Sequence, residues 1–165
     1  MKKLVIIVVS VAVVMVLAWL LLNSPKTVDK SVKEDDFKEF YYTYSSTVNP
    51  PEYQRYRIYT DGDKKMFYHE KREGNNTFLT EEDITVAGEI ELTPAEWDTF
   101  WSYVSGGTVK NRRENTKAGG AGPWLYLYWN GDKNKCQEFT FENDVKKASF
   151  EEFCIELKTK ALMNN

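Results

Sequence analysis

Residues 84–107 of this 165-residue chain read ITVAGEIELTPAEWDTFWSYVSGG. In the first half, apolar residues alternate with polar or small ones, which is typical of a half-buried strand. The segment Thr93-Pro94-Ala95-Glu96 then predicts the start of a helix. Thr93 can cap it, Pro94 has the fixed φ of a first helical position, and Glu96 can bond back to the Thr93 backbone. A strand joined directly to a capped helix indicates a fold of mixed α and β elements.

The residues after this cap predict a helix of about three turns. Gly106-Gly107 ends it. Its apolar stripe has the spacing i, i+3, i+4 and i+7 and consists of Trp97, Phe100, Trp101 and Val104.

Strands are predicted on both sides of this helix. One hairpin joins Tyr53–Thr60 to Lys65–Lys71 through Asp61-Gly62-Asp63, because Asp-Gly readily adopts positive φ. Trp124–Trp129 and Gln137–Phe141 predict a second hairpin.

The segment from Phe37 to Val48 is ambiguous, because its aromatic residues also fit helical spacing. Its Tyr-Tyr-Thr-Tyr run favours a strand.

A second helix is predicted to begin near Ser149, which can form a capping box with Glu152. Its buried stripe would consist of Phe150, Phe153, Cys154, Leu157 and Ala161. The sequence therefore predicts one α+β domain over residues 37–163, in which two helices pack on one face of an antiparallel sheet.

The run from Leu4 to Leu22 predicts a membrane anchor. It contains one polar residue, Ser10, and spans about 28 Å as a helix, close to the thickness of the hydrocarbon core. The run is longer than a cleaved signal peptide requires and leads into no small-residue cleavage site. We therefore expect residues 1–23 to form a retained single-pass signal-anchor in the cell membrane. Lys2 and Lys3 favour a cytoplasmic N-terminus and an extracytoplasmic domain.

Residues 24–36 are polar and charged, and we interpret them as a spacer with almost nothing to bury. Without its first 23 residues the chain has 20 basic and 25 acidic side chains, a net charge of −5. This balance argues against nucleic acid as a partner.

Two cysteines, Cys136 and Cys154, are a possible disulfide in an extracytoplasmic domain. Cys154 falls on the apolar face of the last predicted helix, whereas strand alternation places Cys136 opposite Phe139 and Phe141. A disulfide would need an irregular start of the strand that contains Cys136, so a disulfide and two free thiols both remain open.

No motif of catalysis, cofactor binding or metal binding is recognised. His69 is the only histidine, and we interpret it as a sheet-surface residue beside Tyr68 and Glu70. Several carboxylate pairs, such as Glu151-Glu152, are explained by solvated surfaces or helix caps. We therefore predict no catalytic residue, no metal site and no cofactor.

One basic segment is a candidate partner-binding loop. Ser105 to Pro123 is long for a connection in a small domain and rich in glycine. Its basic residues are Lys110, Arg112, Arg113 and Lys117, and only Glu114 opposes them. They would suit an anionic envelope polymer, a phospholipid headgroup or an acidic protein patch, and the alternative is a mobile surface loop without function.

The leading hypothesis is thus a non-enzymatic interaction domain that a membrane helix tethers outside the cytoplasm. The alternatives are a cell-envelope hydrolase with paired carboxylates, or an inhibitor or immunity-type protein that binds one protein partner. A deep pocket with two convergent acidic residues would favour the hydrolase, and a shallow sheet or loop surface would favour the binding domain.

Overall fold

The computed structural model describes residues 2–22, 24–46, 52–76, 79–111, 124–129 and 137–163. Within these ranges it gives only the backbone of residues 2–8, 22, 45–46, 52, 111 and 124–129.

The described chain forms one eight-stranded antiparallel sheet with four α-helices. The strands are β1 (Lys26–Thr27), β2 (Phe37–Ser46), β3 (Glu52–Asp61), β4 (Lys64–Arg72), β5 (Ile84–Glu91), β6 (Thr108–Asn111), β7 (Trp124–Trp129) and β8 (Gln137–Thr140). The helices are α1 (Lys2–Leu22), α2 (Val28–Ser31), α3 (Pro94–Val104) and α4 (Asp144–Met163). The strand order is β1-β6-β8-β7-β2-β3-β4-β5, so the predicted α+β fold with an antiparallel sheet is confirmed.

The hydrophobic core lies between the sheet and helices α3 and α4. Phe40 of β2 is fully buried, and its ring lies 5.6 Å from that of Phe100 in α3 and 5.5 Å from that of Phe150 in α4. Ile58 and Phe67 continue the same face across β3 and β4. Large rings therefore fill the core and hold both helices against one face of the sheet.

Local signals place most elements correctly. Helix α3 begins at the Thr93 capping box, in which Glu96 N donates to Thr93 Oγ1 at 3.3 Å and Thr93 N donates to Glu96 Oε2 at 2.8 Å. The segment from Phe37 is a strand, and the first predicted hairpin forms, with Gly62 at φ 58° in its turn. Strands β7 and β8 pair antiparallel, as predicted.

The predicted start of α4 is wrong. The helix begins at Asp144, where the Asn143 side chain accepts a hydrogen bond from Lys146 N at 2.9 Å. Asn143 thus caps the helix before Ser149 is reached, and Ser149 lies inside it. Residues 144–148 concealed this first turn because they do not continue the apolar stripe of the later turns.

The predicted spacer, residues 24–36, is also wrong in its central part. Val28 and Val32 are 0% and 3% exposed and belong to the core. Backbone bonds fix this segment, since Val28 N donates to Gly107 O at 2.9 Å and β1 pairs with β6. Two valines four residues apart lie on one face of a helical turn, so a short segment contributes to the core despite its polar composition.

Helix α1 covers Lys2–Leu22, and its described side chains from Val9 to Leu21 are exposed. Counting only residues with described side chains, no helix is long and apolar enough to cross a membrane.

Candidate functional site

The sheet face opposite the core residues carries tyrosines, arginines and glutamates. Alternation along β2 directs Phe40 to the core and Tyr41 to the other side. The register then places Arg57 of β3 beside Tyr41, and Tyr68 of β4 beside Arg57. We call this surface the tyrosine–arginine face. Its described side chains include Glu39, Tyr41, Thr43, Tyr53, Arg55, Arg57, Tyr59, Tyr68, Glu70, Arg72 and Glu89.

One end of this face is buried around an ion pair within β4. Arg72 donates to Glu70 Oε1 from Nη2 at 2.6 Å and from Nε at 3.0 Å. Tyr68 Oη donates to Glu70 Oε2 at 3.0 Å, so both carboxylate oxygens are engaged. Burial, followed by the nearby Glu70 charge, raises the pKa of Tyr68 to about 12. The pair is therefore a fixed structural element of the face.

Tyr53 lies beside this pair and is 2% exposed. The Cζ atom of Arg72 lies 4.2 Å from the centroid of the Tyr53 ring, a cation–π contact. Burial raises the pKa of Tyr53, so its hydroxyl stays protonated at neutral pH.

The other end of the face is accessible. Arg57 Nε bonds Glu39 Oε1 at 2.5 Å, and the guanidinium also lies 4.2 Å from the Tyr59 ring centroid. The Tyr59 hydroxyl donates to the exposed Glu89. Burial and this carboxylate raise the pKa of Tyr59 to about 12. Tyrosines and paired charges thus form a half-exposed surface on which aromatic and polar groups alternate.

Arg55 differs from its neighbours because it has no carboxylate partner among the described residues. Its Nε donates to Thr43 Oγ1 at 3.3 Å. Its Cζ atom lies 5.0 Å from the Tyr41 ring centroid and 5.5 Å from that of Tyr53. Glu70 is opposite Arg55 in the register but is occupied by Arg72 and Tyr68. Arg55 is therefore a half-exposed cation that two tyrosine rings flank.

The predicted basic loop is described only in part. Lys110 lies on β6 and is exposed, so a strand interrupts the predicted loop over Thr108–Asn111. Arg112, Arg113 and Lys117 lie outside the described residues, and their role as a partner-binding loop stays a prediction.

The predicted disulfide is likewise described at one end. Cys154 is fully buried. Burial, followed by the charge of Glu151, raises its pKa well above the ordinary value. Cys136 lies outside the described residues, so the pairing stays a prediction.

His69 is 1% exposed, so its interpretation as a sheet-surface residue is wrong. Its ring lies 5.0 Å from that of Tyr56, and Nε2 is 3.4 Å from Gln54 Oε1. Burial, followed by the charge of Lys158, lowers its pKa to about 4. Nδ1 has no partner among the described residues. The neighbours of His69 thus hold a neutral, structural imidazole.

The described carboxyl groups with shifted pKa values do not resemble a general acid. Hydrogen bonds from Lys71 and Thr85 lower the pKa of Glu73. Burial acts to raise the pKa of Glu96, but bonds from Lys160 and Thr93 outweigh it and lower the pKa. No cluster of three histidine, cysteine or acidic residues within the described ranges is arranged to hold a metal ion.

One cavity of about 520 Å³ lies between β8 and the start of α4. Its lining residues are Glu138, Phe139, Thr140, Phe141, Glu142, Asn143, Asp144 and Lys147. Three carboxylates thus line one cavity, together with one lysine.

The tyrosine–arginine face is not among the sites predicted from the sequence. Its signal was the segment Tyr53-Gln54-Arg55-Tyr56-Arg57-Ile58-Tyr59, in which tyrosine and arginine recur at every second position. Period-2 alternation sends Tyr53 and Tyr59 to one face of the strand and Tyr56 to the other.

Comparison with protein-family models, curated proteins and solved structures finds no match to this chain.

Proposed function

We propose that the chain is a membrane-anchored, extracytoplasmic binding domain without enzymatic activity, and that the tyrosine–arginine face contacts its partner. The observation that carries this proposal is the half-exposed array of Arg55, Arg57, Tyr59 and Tyr68 on one face of the sheet. Tyrosine and arginine are enriched among residues that dominate binding energy at protein interfaces.

A protein is the favoured class of partner. The face combines the cations of Arg55 and Arg57 with the carboxylates of Glu39 and Glu89, so it offers no uniform positive surface to a polyanion. A net charge of −5 beyond the first 23 residues also opposes nucleic acid. Mixed charges between tyrosines match a partner surface of mixed charge. An inhibitor or immunity-type protein is one form of such a domain.

The anchor is proposed from helix α1. Its 21 residues correspond to about 31 Å. Its valine, leucine and tryptophan side chains between Val9 and Leu21 are exposed, and such a surface is stable in lipid and costly in water. Leu4 and Leu22 bound the apolar run, which we propose contacts the bilayer.

The proposed orientation has a direct test. A fluorescent protein that matures only in the cytoplasm is fused after Asn165. We expect no fluorescence, because Lys2 and Lys3 hold the N-terminus in the cytoplasm. A fluorescent cell would place the domain in the cytoplasm.

The proposed contact surface is tested by photo-crosslinking in the native membrane. A photoreactive phenylalanine replaces Tyr59 on the tyrosine–arginine face, or Ile155, which is 51% exposed on α4, as the matched control. We expect a discrete crosslinked protein from position 59 only. Equal crosslinking from both positions would show that the tyrosine–arginine face is not the contact surface. No crosslinking from either position would contradict a binding domain.

A cell-envelope hydrolase is the second candidate function, and the cavity lined by Glu138, Glu142 and Asp144 favours it. The full-length chain is incubated with purified envelope polysaccharide, and reducing ends are measured. Turnover that disappears in Glu142→Gln or Asp144→Asn would establish the hydrolase. We expect no turnover, since Asp144 lies at the start of α4, where a carboxylate stabilises the helix dipole.

A further inference from the structure

Among the described residues, Arg55 is the one arginine of the tyrosine–arginine face without a carboxylate partner. Arg57 is paired with Glu39, and Arg72 is paired with Glu70. Within the described residues Arg55 makes one hydrogen bond, from Nε to Thr43 Oγ1, and neither of its terminal amino groups has a hydrogen-bond partner there.

The neighbours of Arg55 hold the guanidinium in place. Thr43 fixes Nε, and the rings of Tyr41 and Tyr53 lie 5.0 and 5.5 Å from Cζ. A guanidinium that is already oriented loses little side-chain entropy when a ligand binds. Two parallel N–H donors match the two oxygens of a carboxylate.

We propose that Arg55 is the docking point for an aspartate or glutamate side chain of a protein partner. This inference rests on the proposed function as a binding domain. Charge complementarity argues for it, because two carboxylates, Glu39 and Glu70, already neutralise the neighbouring arginines. A partner carboxylate completes the same pattern at the third arginine.

The chemistry of the face favours a carboxylate over a phosphate. Glu39, Glu70 and Glu89 share this face with Arg55 and repel a doubly charged group more strongly than a singly charged one. Tyr59 and Tyr68, whose rings are half-exposed on the same face, supply apolar contact area that a peptide segment covers.

The site is tested by NMR on the full-length chain in zwitterionic detergent, with the Arg55 Nε–Hε signal as the readout. The probes are the peptides acetyl-Gly-Glu-Gly-amide and acetyl-Gly-Gln-Gly-amide, and inorganic phosphate. We expect a saturable shift with the glutamate peptide and none with the glutamine peptide. Equal shifts with both peptides, no shift with either, or a larger response to phosphate would overturn the proposal.

Two variants provide the controls. In Arg55→Lys the charge remains but the two parallel donors are lost, so the affinity for the crosslinked partner should fall about 10-fold. Lys30→Gln removes one positive charge from an exposed residue of α2, and the partner's affinity should remain unchanged. A partner whose affinity is the same for Arg55→Lys and the unmodified chain would refute the role of Arg55.

The two proposals fail in different ways. If position 59 crosslinks a partner but Arg55→Lys has no effect, the Arg55 site is wrong and the binding domain stands. If the glutamate peptide shifts the Arg55 signal but neither position 59 nor position 155 crosslinks a partner, carboxylate binding by Arg55 is supported and the proposed function fails.

Discussion

Arg72 and Glu70, two residues apart on β4, form an ion pair whose side chains are only 8% and 6% exposed. Both groups point to the same side of the sheet because strand side chains alternate. Two N–H donors of Arg72 converge on one oxygen of Glu70, while Tyr68 occupies the other. The pair thus fixes the buried end of the tyrosine–arginine face.

Removal of one member of this pair should be strongly destabilising. Arg72→Met leaves the Glu70 carboxylate buried without its cation, and the expected loss is about 3–5 kcal/mol in the free energy of unfolding. Denaturant unfolding of the full-length chain measures it. Arg57→Met is the matched control, because the Arg57–Glu39 side chains are 34% and 15% exposed, and it should cost about 1 kcal/mol or less. Equal losses in the two variants would contradict the buried pair.

His69 should make the stability of the domain fall in mild acid. Its pKa is lowered from 6.5 to about 4, so between these pH values the unfolded chain binds a proton that the folded chain does not. The contribution of neutral His69 to the free energy of unfolding is complete above pH 6.5. It disappears as the pH falls toward 4. The shift corresponds to about 3 kcal/mol.

The measurement is the difference in unfolding free energy between the unmodified chain and His69→Gln at pH 7 and pH 4. Carboxylates titrate in both chains, so their common contribution cancels. The difference should change by about 3 kcal/mol between the two pH values. Parallel pH profiles would show that His69 is not held neutral.

The start of α4 is tested by two single substitutions. Asn143→Ala removes the side-chain oxygen that accepts from Lys146 N and should cost about 1 kcal/mol. Ser149→Ala, inside the helix, should change the free energy of unfolding by less than about 0.5 kcal/mol. A larger loss at Ser149 than at Asn143 would restore the start expected from sequence.

Two adjacent glycines should tolerate a methyl group differently. At Gly107 a Cβ atom would overlap the Phe139 ring and lie 2.8 Å from Thr140 O. Gly107→Ala should therefore cost about 1–3 kcal/mol through overpacking. At Gly106 the nearest atom, at 2.9 Å, is Oε2 at the end of the flexible Glu142 side chain, so Gly106→Ala should cost less. Thermal or denaturant unfolding measures the loss of stability in both variants. A larger loss in Gly106→Ala than in Gly107→Ala would be inconsistent with the packing of β6 on β8.

The parts of the fold that sequence predicted depend on local chemistry. Thr93, Pro94 and Glu96 determine a helix start among themselves, and Asp61-Gly62 determines a turn. Contacts distant in sequence were harder to predict. Val28 is buried because it packs in the shared core and its amide bonds Gly107 O, 79 residues away, which local composition does not reveal.

The candidate site could be predicted only in part, because some of its contacts also join residues that are distant in sequence. Period-2 spacing of Tyr53, Arg55, Arg57 and Tyr59 marks them as one face of a strand. Which arginine lacks a carboxylate depends on cross-strand neighbours, because Glu39 reaches Arg57 from β2. That arrangement is set by the registers of three strands and not by the sequence of one.

The central claim, that the tyrosine–arginine face binds a protein partner, is tested most directly by the ratio of photo-crosslinked product from positions 59 and 155 in the native membrane. We expect one discrete product from position 59 and background labelling from position 155. Product of equal yield from both positions, or from position 155 alone, would contradict it.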